Sequence, residues 1–162
     1  MSVIVPILMG SCSDLEHAKT IAKALDLLGI PYIMRIGSAH KTPAHVLQIL
    51  AEYEADPRPK VYITIAGRSN ALSGLVDAQV SAPVIACPPS SSSFGGADIY
   101  SSLRMPGGVA PAVVLEPEAA ALLAAKILSL VDPEIKQRLQ DVRQANVDTI
   151  LSHDAEIRQE DN

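Results

Sequence analysis

Short runs rich in Val and Ile recur along the chain, and amphipathic stretches of roughly ten to fifteen residues follow most of them, the pattern of βα units around a parallel sheet. Strands are expected over 3–9, 32–36, 60–66, 83–87 and 112–115. Their nearly uniform apolar character implies that helices cover both faces. Over 14–28, Leu15, Ala18, Ile21, Ala22, Leu25 and Leu28 recur at helical spacing until Gly29, Ile30 and Pro31 end the run. Over 43–54, Val46, Leu47 and Leu50 share a face, with Thr42 as N-cap and Pro43 at the first helical position. A short helix is expected over 97–105. The stretch 118–130 is apolar nearly all round, so burial on more than one side is expected. From Asp132 and Pro133 a last helix keeps Ile135, Leu139, Val142, Ile150 and Leu151 on one face. This divides the chain into an α/β domain over 1–131 and a C-terminal helical extension over 132–162, whose stripe is suited to a neighbouring subunit.

Composition narrows the function classes. A chain of 162 residues, 48% hydrophobic, can bury one core without disulfides or a structural metal. No apolar stretch reaches membrane-spanning length. Residues 1–9 lack the basic flank and the cleavage site of a signal peptide, so a cytoplasmic location is expected. Cys12 and Cys87 form no CxxC or zinc-type spacing and read as reduced, small apolar fillers. Thirteen basic against eighteen acidic residues give a net charge of -5, and no basic run interleaves with aromatics. Nucleic acid and membrane are therefore not expected partners, whereas the charge balance leaves room for a small anion held by local geometry. The segment PPSSSSFGG over 88–96 has the composition of a mobile loop that could act as a lid.

In a doubly wound sheet, ligands bind at the carboxyl ends of the strands. The loops after the first three strands are Gly10-Ser11-Cys12-Ser13-Asp14, Gly37-Ser38-Ala39-His40-Lys41 and Gly67-Arg68-Ser69-Asn70. Each starts with glycine, carries small hydroxyl residues and precedes a helix. Backbone N–H groups, Ser hydroxyls and a positive helix end suit an anion such as phosphate. One such loop is ordinary turn and N-cap chemistry; three together point to a site. Histidine is the side chain type best suited to proton transfer near neutrality, which makes His40 the leading acid/base candidate, although a lone loop histidine is more often simply surface. Lys41 beside it could face a phosphate or be a solvated lysine.

Other chemistries fail on spacing. Neither GxxxxGK[ST] nor GxGxxG occurs. Neither cysteine has an arginine six positions on, as a Cys-based phosphatase would. His40 and His45 find no carboxylate or thiol to complete a metal set, and His17 and His153 read as solvated on charged helix faces. Gly67-Arg68-Ser69-Asn70-Ala71 nearly matches a serine-hydrolase elbow, but its fifth position is Ala and the only later histidine is His153. A flavin would find four Tyr, one Phe and no Trp to stack on.

The motifs MGSCSD, GSAHKTP, AGRSN, CPP and SSLRMPGG, in that order, resemble the PurE family of aminoimidazole ribonucleotide carboxylases and mutases over residues 3–130. Lys41 and the AGRSN loop resemble the second class, which carboxylates the ribonucleotide directly with CO2. The resemblance implies a flavodoxin-like three-layer α/β/α sandwich, a homo-octamer with active sites near subunit contacts, and no cofactor or metal. It implies that His40 is catalytic. It also implies that Gly10, Ser11, Ser13, Asp14, Ser38, Ala39, Lys41, Gly67, Arg68, Ser69 and Asn70 bind substrate. Asp14 would then face ribose hydroxyls, Ser38 and Lys41 the phosphate, and Gly67 to Asn70 the base and CO2. Rearrangement of the N5-carboxylated ribonucleotide is the alternative activity. A non-catalytic sugar-phosphate-binding module is the alternative of another class.

Overall fold

The computed structural model describes residues 2–89 and 93–160. In chain order the elements are β1 (Val5–Met9), α1 (Leu15–Leu27), β2 (Tyr32–Ile36), α2 (Pro43–Glu54), β3 (Tyr62–Ile65), α3 (Ala71–Asp77), β4 (Val84–Ala86), α4 (Tyr100–Leu103), β5 (Ala112–Val113), α5 (Pro117–Leu128) and α6 (Pro133–Glu160). All five strands are parallel, in the order β2-β1-β3-β4-β5. This is the flavodoxin-like order, whose direction of winding reverses between β1 and β3. The strands are shorter than the apolar runs that announce them. Val3, Val61 and Cys87 are buried by packing beyond the ends of their named strands.

The pleat sorts the core into two layers, because alternate side chains point to opposite faces. Ile7 and Met9, Ile63 and Ile65, and Ile85 face α1 and α5. Leu8, Tyr62 and Val84 face α2 and α3, meeting Val46, Ile49, Leu50, Tyr53, Leu72 and Val76. On the first face, α5 brings Ala120, Ala121, Ala124 and Ala125 against α1, all fully buried. Small side chains there let the two helices approach closely and still leave Leu25 and Leu128 inside.

Helices cover both faces only in the middle of the sheet. At one edge, Ile33 and Ile36 of β2 are 37% and 45% exposed. Arg35 shields part of this edge. Its guanidinium lies over the Tyr53 ring at 5.8 Å and donates to Glu52 Oε2 at 2.9 Å and Tyr53 Oη at 3.1 Å. At the other edge Ala112 is exposed. The expected helix over 97–105 divides into a 3-10 segment, Ser93–Ile99, and the single turn α4. Pro106 disfavours helix at Met105, so the turn stops at Leu103. Residues 90–92, the middle of the expected lid, lie outside the described residues.

The start of α6 belongs to the domain. Ile135 is 1% exposed within the core and Leu139 packs against it. From Gln140 to Arg158 every residue is exposed, including Val142, Val147, Ile150, Leu151 and Ile157. The face of α5 away from α1 leaves Leu122 in solvent, so its burial is less than its composition suggests.

Gly37, where β2 passes into its loop, is required by close approach. A Cβ there would lie 2.9 Å from Val46 Cγ2 and 3.5 Å from Ile49 Cδ1. Val46 is fully buried and β-branched, with little rotamer freedom to give way. Gly37→Ala is expected to cost about 1–3 kcal/mol. Urea denaturation should show a lower midpoint at an unchanged slope.

Candidate active site

The ladder aligns the three loops. Met9 pairs with Ile36 of β2 on one side and with Ile65 of β3 on the other. The next residues continue this level, since Gly10 N–H donates to Ile65 O and Gly37 N–H to Met9 O, both at 2.9 Å. The loops therefore leave the sheet side by side at the switch point. They line a 670 Å³ cavity with Gly10, Ser11, Ser13, Asp14, Ser38, Ala39, His40, Lys41, Gly67, Arg68 and Ser69 on its wall. Ala66, Leu72, Pro89 and Asp98 complete it. A smaller, mainly apolar recess adjoins it and shares Ala66, Gly67, Pro89 and Asp98.

Each loop is shaped by its own polar groups. In the first, Asp14 Oδ2 accepts from Ser11 N–H at 3.0 Å and from Ser11 Oγ at 3.3 Å, while the Ser11 and Ser13 hydroxyls touch at 2.5 Å. In the second, Ser38 Oγ accepts from Lys41 N–H at 3.2 Å and Thr42 Oγ1 from Ser38 N–H at 3.0 Å. Thr42 flanks α2 as expected but spends its hydroxyl on this loop rather than on a helical N–H. His40 is exposed at the cavity edge, beside Lys41.

The third loop departs from expectation. Arg68 has φ +60° and Ser69 N–H donates back to Gly67 O at 2.7 Å, which makes a γ-turn of the rare, positive-φ kind. Such a conformation in a non-glycine residue costs on the order of 1–3 kcal/mol and needs outside support. Arg68 N–H donates to Asp98 Oδ2 at 3.2 Å and Asn70 N–H to Ser101 Oγ at 3.0 Å. Three successive N–H groups are thus committed within the protein. They are already hydrogen-bonded and not free for an anion as the glycine-hydroxyl pattern suggested, while Arg68 and Ser69 line the cavity.

Asn70 is not on the wall. It is 3% exposed and lies behind the loop, where its Nδ2 donates to Ser102 Oγ at 2.9 Å and its Oδ1 accepts from Ser73 N–H and Ser73 Oγ. Ser73 Oγ in turn meets Thr64 Oγ1 at 2.7 Å. Every member is buried and bonded, so the network holds α3 and α4 to β3 without an unsatisfied group. Sequence reasoning gave no role to Asp98, Ser101 or Ser102. The only available signal was that Ser101 and Ser102 open the SSLRMPGG motif. Among the described residues, no three His, Cys, Asp or Glu side chains are grouped to hold a metal ion.

The family model described as AIR carboxylase matches residues 4–149. The chain belongs to the AIR carboxylase family. A phosphoribosylaminoimidazole carboxylase of Treponema denticola is 58% identical over 158 residues, covering 98% of this chain and 99% of that protein. One from Archaeoglobus fulgidus is 53% identical over 152 residues, covering 94% and 83%. The crystal structure of Treponema denticola PurE superposes with a TM-score of 0.92 at 59% identity, over 94% of this chain and 97% of that one.

Two expectations about this AIR carboxylase family member need correction. Cys12 is exposed and fills no core, because it sits in the tight turn after β1. His17 is half-buried rather than solvated, with Nε2 3.3 Å from Cys87 Sγ, because α1 turns that position toward the end of β4. Burial, aided by Glu116 and Glu118, pushes the Cys87 thiol up to about 12, so it stays protonated and unreactive. Burial also holds His17 below its ordinary 6.5, offset only in part by a backbone hydrogen bond with Cys87 and by the Asp14, Glu116 and Glu118 carboxylates. The unfolded chain therefore binds more protons at His17 just below pH 6.5, and stability present above that value is lost as the pH falls. Replacing His17 by Gln should flatten this part of the acid limb, read from urea midpoints between about pH 5 and 7.5.

Proposed function

We propose that the chain reversibly carboxylates 5-aminoimidazole ribonucleotide with CO2 to the 4-carboxy product in purine biosynthesis, with His40 as the acid/base. The observation that carries the mechanism is the convergence of three strand-end loops on one cavity with His40 and Lys41 at its edge. The cavity has the size of a small-molecule site. Membership of the AIR carboxylase family supplies the reaction.

The ring carbon beside the exocyclic amine is an enamine-like nucleophile. Its electron pair forms the new bond to the CO2 carbon, and a C=O pair moves onto oxygen to give the carboxylate. The ring carbon is then tetrahedral and still bears its hydrogen. His40 removes that proton, the C–H pair returns to the ring, and aromaticity is restored. In reverse His40 returns the proton and CO2 departs. Holding CO2 over the ring replaces a bimolecular encounter with a positioned one. The apolar recess behind Gly67 suits the approach of CO2. Lys41, with Ser38 close in the same loop, suits the phosphate, and Asp14 the ribose hydroxyls.

The test supplies purified enzyme with either the plain ribonucleotide and bicarbonate or the N5-carboxylated ribonucleotide, without ATP, and follows the 4-carboxy product. Conversion of the plain ribonucleotide is expected. Conversion of only the N5-carboxylated compound would make the enzyme a mutase, and binding without turnover of either would leave a sugar-phosphate module. His40→Asn should abolish turnover while ribonucleotide affinity stays within about tenfold, because an acid/base residue acts on the chemical step.

A cytoplasmic homo-oligomer, an octamer by family resemblance, fits the same reading. The exposed apolar residues of α6 from Val142 to Ile157 support self-association. Light scattering at micromolar protein should return an oligomer, and truncation of α6 beyond Leu139 should weaken it while the core stays folded. A monomer at that concentration would contradict the assembly.

A further inference from the structure

Asp98 reaches the active site from a part of the chain to which the reaction assigns nothing. It lies thirty residues after Arg68 in sequence and lines the cavity from the 3-10 segment Ser93–Ile99. Its Oδ2 accepts from the backbone N–H of Arg68, the residue at the centre of the strained turn. Ser101, whose own hydroxyl donates to Asp98 O at 2.8 Å, accepts from Asn70 N–H. Ser102 receives the Asn70 amide. The contacts grip the turn on both sides of Ser69, whose N–H closes the turn itself.

Ordinary packing does not require this arrangement. A loop free to relax would place Arg68 at negative φ, where a non-glycine side chain is unstrained. The turn is instead held by a carboxylate and a hydroxyl aimed at alternate backbone N–H groups. Resting on the function proposed above, we propose that Asp98 is a positioning residue: by bonding the Arg68 N–H it keeps Arg68 in the strained turn that sets its side chain against the substrate. Ser101 and Ser102 fix the other end of the same turn, so the segment carrying Asp98 acts as a template for the loop over 67–70.

The proposal has a readout independent of turnover. Amide hydrogen exchange at Arg68 should be slow in the wild-type protein and should accelerate at least about tenfold in Asp98→Ala, with the β3 amides of Ile63 and Ile65 unchanged. Over the same pair, kcat/KM for the carboxylated ribonucleotide should fall about tenfold or more. Asp98→Asn, which keeps an acceptor oxygen in place, should recover both quantities to within about threefold. A merely structural Asp98 would lower the melting temperature and leave Arg68 exchange and kcat/KM alone. An Asp98 that touched substrate directly would lower kcat/KM without changing Arg68 exchange. Either result overturns the proposal, as would failure of Asp98→Asn to recover both. If the wild-type enzyme turned over no ribonucleotide, the functional reading would fall, while the exchange comparison would still decide what holds the turn.

Discussion

The pairing of Met9 with both Ile36 and Ile65 is the constraint on which the site depends. Parallel strands have no hairpin to set their relative level, so register comes from burial. Shifting β1 by one residue would exchange Ile7 and Met9 for Leu8 across the sheet and break both core layers at once. Because the register is held by the core, the first residues past the strands, Gly10, Gly37 and Ala66, emerge at one height. The cavity is thus a consequence of hydrophobic sorting. The place of His40 on its wall is set by packing several residues deeper in the chain.

Around that fixed edge, the loops achieve shape through polar bonds of different reach. The first two are self-contained: Ser11 with Asp14, and Ser38 with Lys41 and Thr42, are bonded within a few positions. The third depends on residues about thirty positions later. Short-range bonds persist wherever the strand ends are formed, whereas the bonds that flank the Arg68 turn form only with the 93–103 segment docked. Strain at Arg68 and the buried Asn70 network are two parts of one arrangement. Satisfied buried bonds supply the support that a positive φ requires.

The exposed length of α6 carries further apolar side chains outside the core. Its first turns are fixed by Ile135 and Leu139, and the rest projects with its stripe intact.

Much of this was legible in the chain itself. Nearly uniform apolar runs of Val and Ile marked five parallel strands, helical spacing located α1, α2 and α6, an almost wholly apolar stretch located α5, and glycine-hydroxyl loops after the first three strands marked the cavity wall, Asn70 excepted. These features are local: periodicity, caps and turn residues act over a few positions and need no knowledge of partners. Tertiary structure decided the rest. The exposure of β2, the burial of His17 against Cys87, the withdrawal of Asn70 behind the loop and the entry of Asp98 depend on which segments become neighbours, and sequence separation conceals that. Glycine and serine could announce a loop with N–H groups to offer. Only the docked fold could determine that those of residues 68, 69 and 70 are already taken, because their acceptors include side chains brought from distant sequence by packing.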